Sequence, residues 1–462
     1  MGLESTTTQD APEAHPRRWR ILAVALIGPL MGNIDQYVVA TALPTLRNEL
    51  HTSIALAALS MTVYQLGLIA SMPIVGRLSD QLGRKRVHLI AIGIFAAASL
   101  ACGLSDSIGM LIAFRLVQAI GAGGLMPTAT GIVAESFGRD RDRGIGLIAS
   151  VVSIGALVGP VLGGVIIHYW SWRGVFLINL PVAAVILPLA VRVIPRSRPR
   201  AAATLDVPGI ALLVAALSCF MLGTTLLGEG VSPLSVWFIG SEAAAVLLGF
   251  LLVRHCLRVP HPIIPVHLLR VGAFFRMNVL NFIYGAAVLG MGSLIPLYVQ
   301  ERYAFSALAA GSVLSVRAIG VITVSILATF LLRRFGYRRP MLIGFGLQAI
   351  GLALIGWGAP PGFMPYLWLA ACGGILGIGA GAAIPATNNA LLSFSPKDVS
   401  TISGLRGMFK QIGALVAISI VTAVPTPAGD TGLVLGHAML VMAAALTLLV
   451  LPLVLSVPDR AR

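Results

Sequence analysis

The 462-residue chain is 57% hydrophobic and only 11% charged, with a mean hydropathy of +0.92. Soluble domains carry about 25% charged residues, so this composition excludes an ordinary soluble protein and points to a chain that crosses a bilayer repeatedly. The net charge of +15 would suggest nucleic acid in a soluble chain, but here the basic residues fill short loops between apolar runs, where membrane orientation accounts for them without a nucleic-acid partner.

The first twenty residues are polar and end in "RRWR". They lack a short apolar core with a small-residue cleavage site, so no signal peptide is expected. A crossing needs roughly 20 apolar residues. Seven such segments are expected in the first part of the chain, at 21–44, 54–78, 87–104, 108–134, 144–168, 173–193 and 207–227. Seven more follow at 235–253, 273–299, 307–332, 338–358, 364–392, 402–424 and 432–456. The loops alternate in charge: one set holds "RRWR", "GRLSDQLGRKR", "GRDRDRG", "RVIPRSRPR", "RRFGYRR" and "DRAR", the other only Arg47, Arg173 and Arg302. The positive-inside rule then places both termini in the cytoplasm. Cys102, Cys219, Cys256 and Cys372 lie singly in or beside apolar runs and read as small core residues rather than a disulfide framework.

Span one contains Asp35, a carboxylate that is costly at such depth unless it is paired or protonated. Span four contains Arg115, a guanidinium that stays charged and needs an acceptor. Counted from the outer ends of their spans, Asp35 lies about 13 Å and Arg115 about 10 Å down at 1.5 Å per residue. Similar depth makes them a candidate proton-sensitive pair, in which burial raises the carboxyl pKa and the cation lowers it. Span five reads "GALVGPVLGG", with Gly155, Gly159 and Gly163 at every fourth position and Pro160 and Gly164 between and after them. That spacing gives a smooth face for close helix packing, and the proline removes one helix hydrogen bond.

The chain also repeats itself. "AIGAGGLMPTAT" at 119–130 matches "GIGAGAAIPATN" at 377–388, and "SIGALVG" at 153–159 matches "QIGALVA" at 411–417, both pairs 258 residues apart. Two related six-span halves with two extra spans between them follow, and such repeats place a central site where the halves meet. The expected organisation is a tail over 1–20, a bundle over 21–194, a linker with two inserted spans over 195–272, a second bundle over 273–457 and a tail over 458–462.

The loop after span two, "GRLSDQLGRKR", resembles the signature loop of the major facilitator superfamily, G-x-L-x-D-x-x-G-R-K/R, through Gly76, Leu78, Asp80, Gly83, Arg84 and Lys85. Its glycines permit a tight turn and close approach, and Asp80 can accept from a helix N-terminus or a basic side chain. The resemblance implies that this loop gates the cytoplasmic face. The span-five motif is similar to G-x-x-x-G-P-x-x-G-G, which in that superfamily accompanies exporters. With "TALP" at 41–44, "WRGVFLINLP" at 172–181 and "LDVPG" at 205–209, the whole chain resembles the fourteen-span drug:proton antiporter family. That family often has threonine or serine after the span-one acid, where this chain has Gln36 and Tyr37, a departure that bears on substrate range.

The resemblance implies an all-α major facilitator fold in the cell membrane, working as a monomer without a bound cofactor and using the proton as coupling ion. The implied activity is efflux of amphipathic drugs or antibiotics, with a proton-coupled importer or exporter of one small metabolite as the alternative. A membrane enzyme finds no support in H-E-x-x-H, nucleophile-elbow or nucleotide-loop motifs, and His255, His261 and His267 are spaced for neither one helix face nor a metal loop. In the core spans Asp35 is the one deep acid, set against Arg115, Arg317, Arg406 and Lys410. This balance favours an anionic or neutral substrate over a dication. Tyr37, Gln65, Gln118, Asn281, Tyr284, Arg317, Lys410 and Gln411 are the candidate substrate contacts, and no residue is expected to bind metal.

Overall fold

The computed structural model describes residues 16–52, 54–197, 206–228, 231–260, 262–264, 272–305, 307–392, 399–423 and 431–455. All elements among them are helical. The first half consists of α1 (Arg18–Glu49), α2 (Ile54–Leu82), α3 (Arg84–Gly103), α4 (Ile108–Phe137), α5 (Arg141–Tyr169), α6 (Trp172–Leu177) and α7 (Asn179–Val193). The inserted pair is α8 (Val207–Gly228) and α9 (Val236–Arg258). The second half runs through α10 (Gly272–Tyr284), α11 (Gly292–Tyr303), α12 (Ala307–Phe335), α13 (Arg338–Trp357), α14 (Pro365–Leu392), α15 (Val399–Ala423), α16 (Thr431–Ala445) and α17 (Leu451–Leu455).

Thirteen of the described helical stretches are long and apolar enough to cross a membrane. The fourteenth expected span, 144–168, lies within the 29-residue helix α5. Three spans are less regular than the sequence suggested. Span six is the broken pair α6–α7, and wide π-helical turns at Gly285–Met291 and Leu446–Val450 join α10 to α11 and α16 to α17. No local composition cue marks a π turn, so the apolar run over 273–299 read as one regular helix.

The repeat in the sequence is a repeat in packing. Gly121 of α4 meets the backbone of Ala91 and Phe95 on α3, while Gly379 of α14, 258 residues on, meets Gly344 and Gln348 on α13. Gly123 faces α2 at Ser71, and Gly381 faces α12 at Val321 and Ser325. The second repeat behaves alike: Gly155 of α5 lies on Asn33 of α1, and Gly413 of α15 lies on Phe282 of α10. Small residues allow these close approaches, and any larger side chain would push the backbones apart. Pro127 and Pro385 sit at matching places inside α4 and α14.

The halves meet along α2 and α4 against α15, and along α5 against α12 and α14. The hydrogen bonds that cross between them cluster at the end carrying the basic loops. Thr401 donates from its N–H (2.8 Å) and its hydroxyl (3.0 Å) to Asp80, Ser403 donates to Thr130 (3.2 Å), and Tyr337 (3.0 Å) and Asn389 (3.0 Å) donate to Asp142. This end of the molecule is closed. The inserted helices pack on each other, with α8 also against α2 and α15. A cap joins them to the linker: Asp206 accepts from the Gly209 N–H (2.9 Å) and the Ile263 N–H (2.8 Å) and pairs with His255 Nε2 at 2.6 Å. Burial alone would push the Asp206 carboxyl up, but these hydrogen bonds hold it below the ordinary carboxylate range. His261 and His267 lie outside the described residues.

Candidate functional site: a cavity between the halves and a buried ion pair beside it

The signature loop is built around one glycine turn. Gly83 joins α2 to α3 with φ +97°, a left-handed conformation that other residues adopt at a cost. The turn lets Arg84 fold back so that Nε and Nη2 donate to Asp80 Oδ1, both at 3.1 Å, while Nη1 donates to the Gly131 carbonyl at 2.9 Å. Asp80 thus does both things open to it: it accepts from a basic side chain and, through Oδ2, from the first turn of α15. Lys85 turns away and donates to the carbonyls of Val191 and Ile194, both at 2.6 Å. At Gly76 an added Cβ would stand 2.5 Å from the Ser400 carbonyl oxygen, so this contact needs glycine.

On the span-five face, an added Cβ at Gly155 would lie 2.7 Å from the Asn33 Cβ, and one at Gly159 2.6 Å from the Tyr37 Cβ. Gly163 is buried as well. An added Cβ at Gly164 would meet open space, so this glycine takes no part in that packing. The side chain of Pro160 lies outside the described residues.

Asp35 and Arg115 are each 1% exposed and form an ion pair of 2.6 Å between Oδ2 and Nη1. Two amides complete the carboxylate's shell, as Gln118 Nε2 (2.9 Å) and Asn179 Nδ2 (3.0 Å) both donate to Oδ1. Ser99 Oγ accepts from the same two amides, at 2.8 and 3.3 Å. Arg115 also donates to Gln118 Oε1 at 2.7 Å, and its guanidinium carbon lies 3.9 Å from the centre of the Tyr64 ring. A buried carboxylate holding these three donors is well satisfied by hydrogen bonds.

Gln118, read from sequence as a substrate contact, is therefore misplaced: it is fully buried and belongs to the ion pair. Arg115 and Gln118 are three apart on α4, and residues at that spacing share a helix face. Asn179 and Ser99 were missed. The signal for Asn179 was its position as an amide in the apolar run "FLINLP", where a polar side chain needs a partner.

Beside this network lies a cavity of about 290 Å³ between the halves. From the first half Gln36, Tyr37, Tyr64 and Gln65 line it, with Gln36 donating to Gln65 at 3.2 Å. From the second half come Asn281, Tyr284, Arg317, Arg406, Lys410 and Gln411. Among the described residues its lining thus holds three cations and no acid, and Asp35 and Arg115 do not reach it.

The three cations differ. Arg317 Nη2 donates to the Val288 carbonyl at 2.5 Å, an acceptor on the π turn between α10 and α11. Arg406 donates to Asn388 Oδ1. Lys410 is partly exposed to the cavity and has no hydrogen-bond or ion-pair partner among the described residues.

The comparisons agree with this architecture. The multidrug resistance protein 3 of Bacillus subtilis is 29% identical over 407 residues, covering 87% of this chain and 78% of the relative. The methylenomycin A resistance protein of Streptomyces coelicolor is 30% identical over 410 residues, covering 87% of this chain and 85% of the relative. Among solved structures, the human organic anion transporter MFSD10 has a TM-score of 0.67 at 18% identity, covering 94% of this chain and all of that one. The Major Facilitator Superfamily family model matches residues 25–418, and the chain belongs to that family of membrane transporters, which are not enzymes.

Proposed function

We propose that this chain exports amphipathic drugs or antibiotics by alternating access, coupled to protons through Asp35 and favouring anionic or neutral compounds. The observation that carries the reading is the juxtaposition of a buried Asp35–Arg115 pair, its carboxylate held by three donors, with a cavity whose charged groups are all cationic. The resistance functions in the names of the two bacterial relatives support drug efflux as the direction of transport. By the positive-inside rule the basic end is cytoplasmic, so the closed end described above is the cytoplasmic one and the cavity belongs to the outward-facing state. The protein then acts as a monomer in the cell membrane, with the proton as its coupling ion and Gly76, Asp80, Gly83, Arg84 and Lys85 as its cytoplasmic gate.

Charge preference follows from Coulomb's law: a unit charge 4 Å from a cation gains about 4 kcal/mol at an effective dielectric of about 20. Lys410 is the cation most available to a ligand, because Arg317 and Arg406 already donate to protein acceptors. Lys410→Ala is expected to weaken binding of an amphipathic aryl sulfonate about tenfold, the roughly 1.4 kcal/mol that survives screening, and to change a neutral analogue of the same size about twofold or less. Equal effects on the two ligands, or tightest binding of a bis-quaternary dication by the wild type, would remove the charge argument. The efflux reading itself is tested by expression in a drug-sensitive host: resistance that disappears with Asp35→Asn at equal protein level supports it, and unchanged drug accumulation contradicts it.

A further inference from the structure

One side chain separates the two parts of this site. Tyr64 lies on α2, lines the cavity, and is 1% exposed. Its ring also covers the Arg115 guanidinium at 3.9 Å, with Phe176 farther round the same cation at 5.7 Å. Close packing of α2 on α4 fixes this placement: an added Cβ at Gly67 would sit 2.8 Å from the Ala119 Cβ, and Ser71 donates to the Ala119 carbonyl at 3.1 Å. The groups facing Asp35 are Arg115, Gln118, Asn179 and Ser99, with Cys102 behind Gln118 at 3.9 Å and Tyr64 within electrostatic reach, and of these Tyr64 alone lines the cavity.

We propose that the Tyr64 ring is the partition between the substrate cavity and the ion pair, and that cavity occupancy reaches Asp35 by moving it. With the cavity empty, the ring lies over Arg115 through a desolvated cation–π contact and keeps water from the carboxylate. A ligand seated against Gln36, Gln65 and Tyr64 presses on the same ring from the cavity. Displacing it weakens the hold on Arg115, and the carboxylate then meets water and a proton only in step with the ligand. This rests on the proton-coupling reading of Asp35. Tyr64 is a positioning residue here, since it holds the ion pair closed and itself gains or loses no proton.

The test uses the full-length protein in liposomes, without ligand, and reads modification of Asp35 by a water-soluble carbodiimide by mass spectrometry, alongside proton leak down an imposed pH gradient. Tyr64→Ala is expected to raise the rate of Asp35 modification about tenfold, the scale of losing a desolvated cation–π contact from the closed state, and to admit a ligand-independent leak. Tyr64→Phe keeps the ring face and is expected to match the wild type in both readouts. Tyr64→Leu fills the space without a π face, is expected to behave as the alanine variant does, and serves if that variant is unstable. Modification at the wild-type rate in both the alanine and leucine variants, or a phenylalanine variant as open as alanine, overturns the proposal. Asp35→Asn transporting normally would overturn the proton reading instead, and the labelling contrast, read at one pH among variants that all keep Asp35, keeps the two failures apart.

Discussion

Asp35→Asn is expected to lower pH-driven transport by about two orders of magnitude while leaving downhill exchange of substrate at a measurable rate. An amide cannot take up and release a proton in the working range, and among the described residues no other carboxylate lies in the network around Arg115 or in the cavity lining. The change also leaves Arg115 buried without its counter-charge, which in a buried pair costs about 3–5 kcal/mol. Part of that cost is offset here, because Arg115 keeps Gln118 Oε1 and the Tyr64 ring. Protein yield in detergent must therefore be measured beside transport. Retained exchange with absent gradient response separates loss of coupling from loss of fold; full pH-driven transport would remove Asp35 from the mechanism.

The second large effect is expected at the gate. Gly76→Leu places a Cβ 2.5 Å from the Ser400 oxygen, 3.1 Å from the Ser400 carbonyl carbon and 3.3 Å from the Thr401 Cα. All three atoms are backbone, so no rotamer change relieves the clash, and the halves must part at the basic end. Overpacking costs about 1–3 kcal/mol, and a bias of that size between two conformations shifts their ratio by about fivefold to about 150-fold. The clash exists only while α2 and α15 are together, so folding of each half is spared. Transport is expected to collapse, with a cysteine placed at Ser79 becoming reactive from the basic side, since Ser79 is buried against Ser400 in the closed state. Normal transport with Ser79 still protected would show that this contact does not govern closure.

Much of the architecture was legible because membrane helices follow simple accounting. Apolar runs gave the spans, loop arginines gave their alternation, and one shared offset of 258 residues located α4 with α14 and α5 with α15. The meeting of Asp35 with Arg115 was legible from depth, since a rise of about 1.5 Å per residue converts sequence position into height. Height does not fix rotation. Gln118 faces the ion pair and Gln65 faces the cavity, and only the packing of α4 on α2 and α3 decides that difference. Asn179 reaches Asp35 because the chain breaks between α6 and α7, where Pro181 in the first turn of α7 has no N–H to give the Leu177 carbonyl, and the apolar run alone hid that break. The count of cations set against Asp35 was readable too, but their inequality was not. The π turn that gives Arg317 the Val288 carbonyl is a tertiary feature, and it leaves Lys410 as the cation with most to offer a ligand.

The central claim is that substrate leaves against protons through one buried carboxylate. It is tested most directly by proton movement in liposomes containing the wild-type protein, with membrane voltage clamped and a pH dye trapped inside. The substrate is a permanently charged amphipathic sulfonate, which carries no proton across by itself, imposed as a gradient with no initial pH difference. The expected result is a change of internal pH showing protons moving opposite to the sulfonate, abolished in Asp35→Asn even where sulfonate exchange persists. Sulfonate flux at the wild-type rate with no accompanying proton movement would contradict the account.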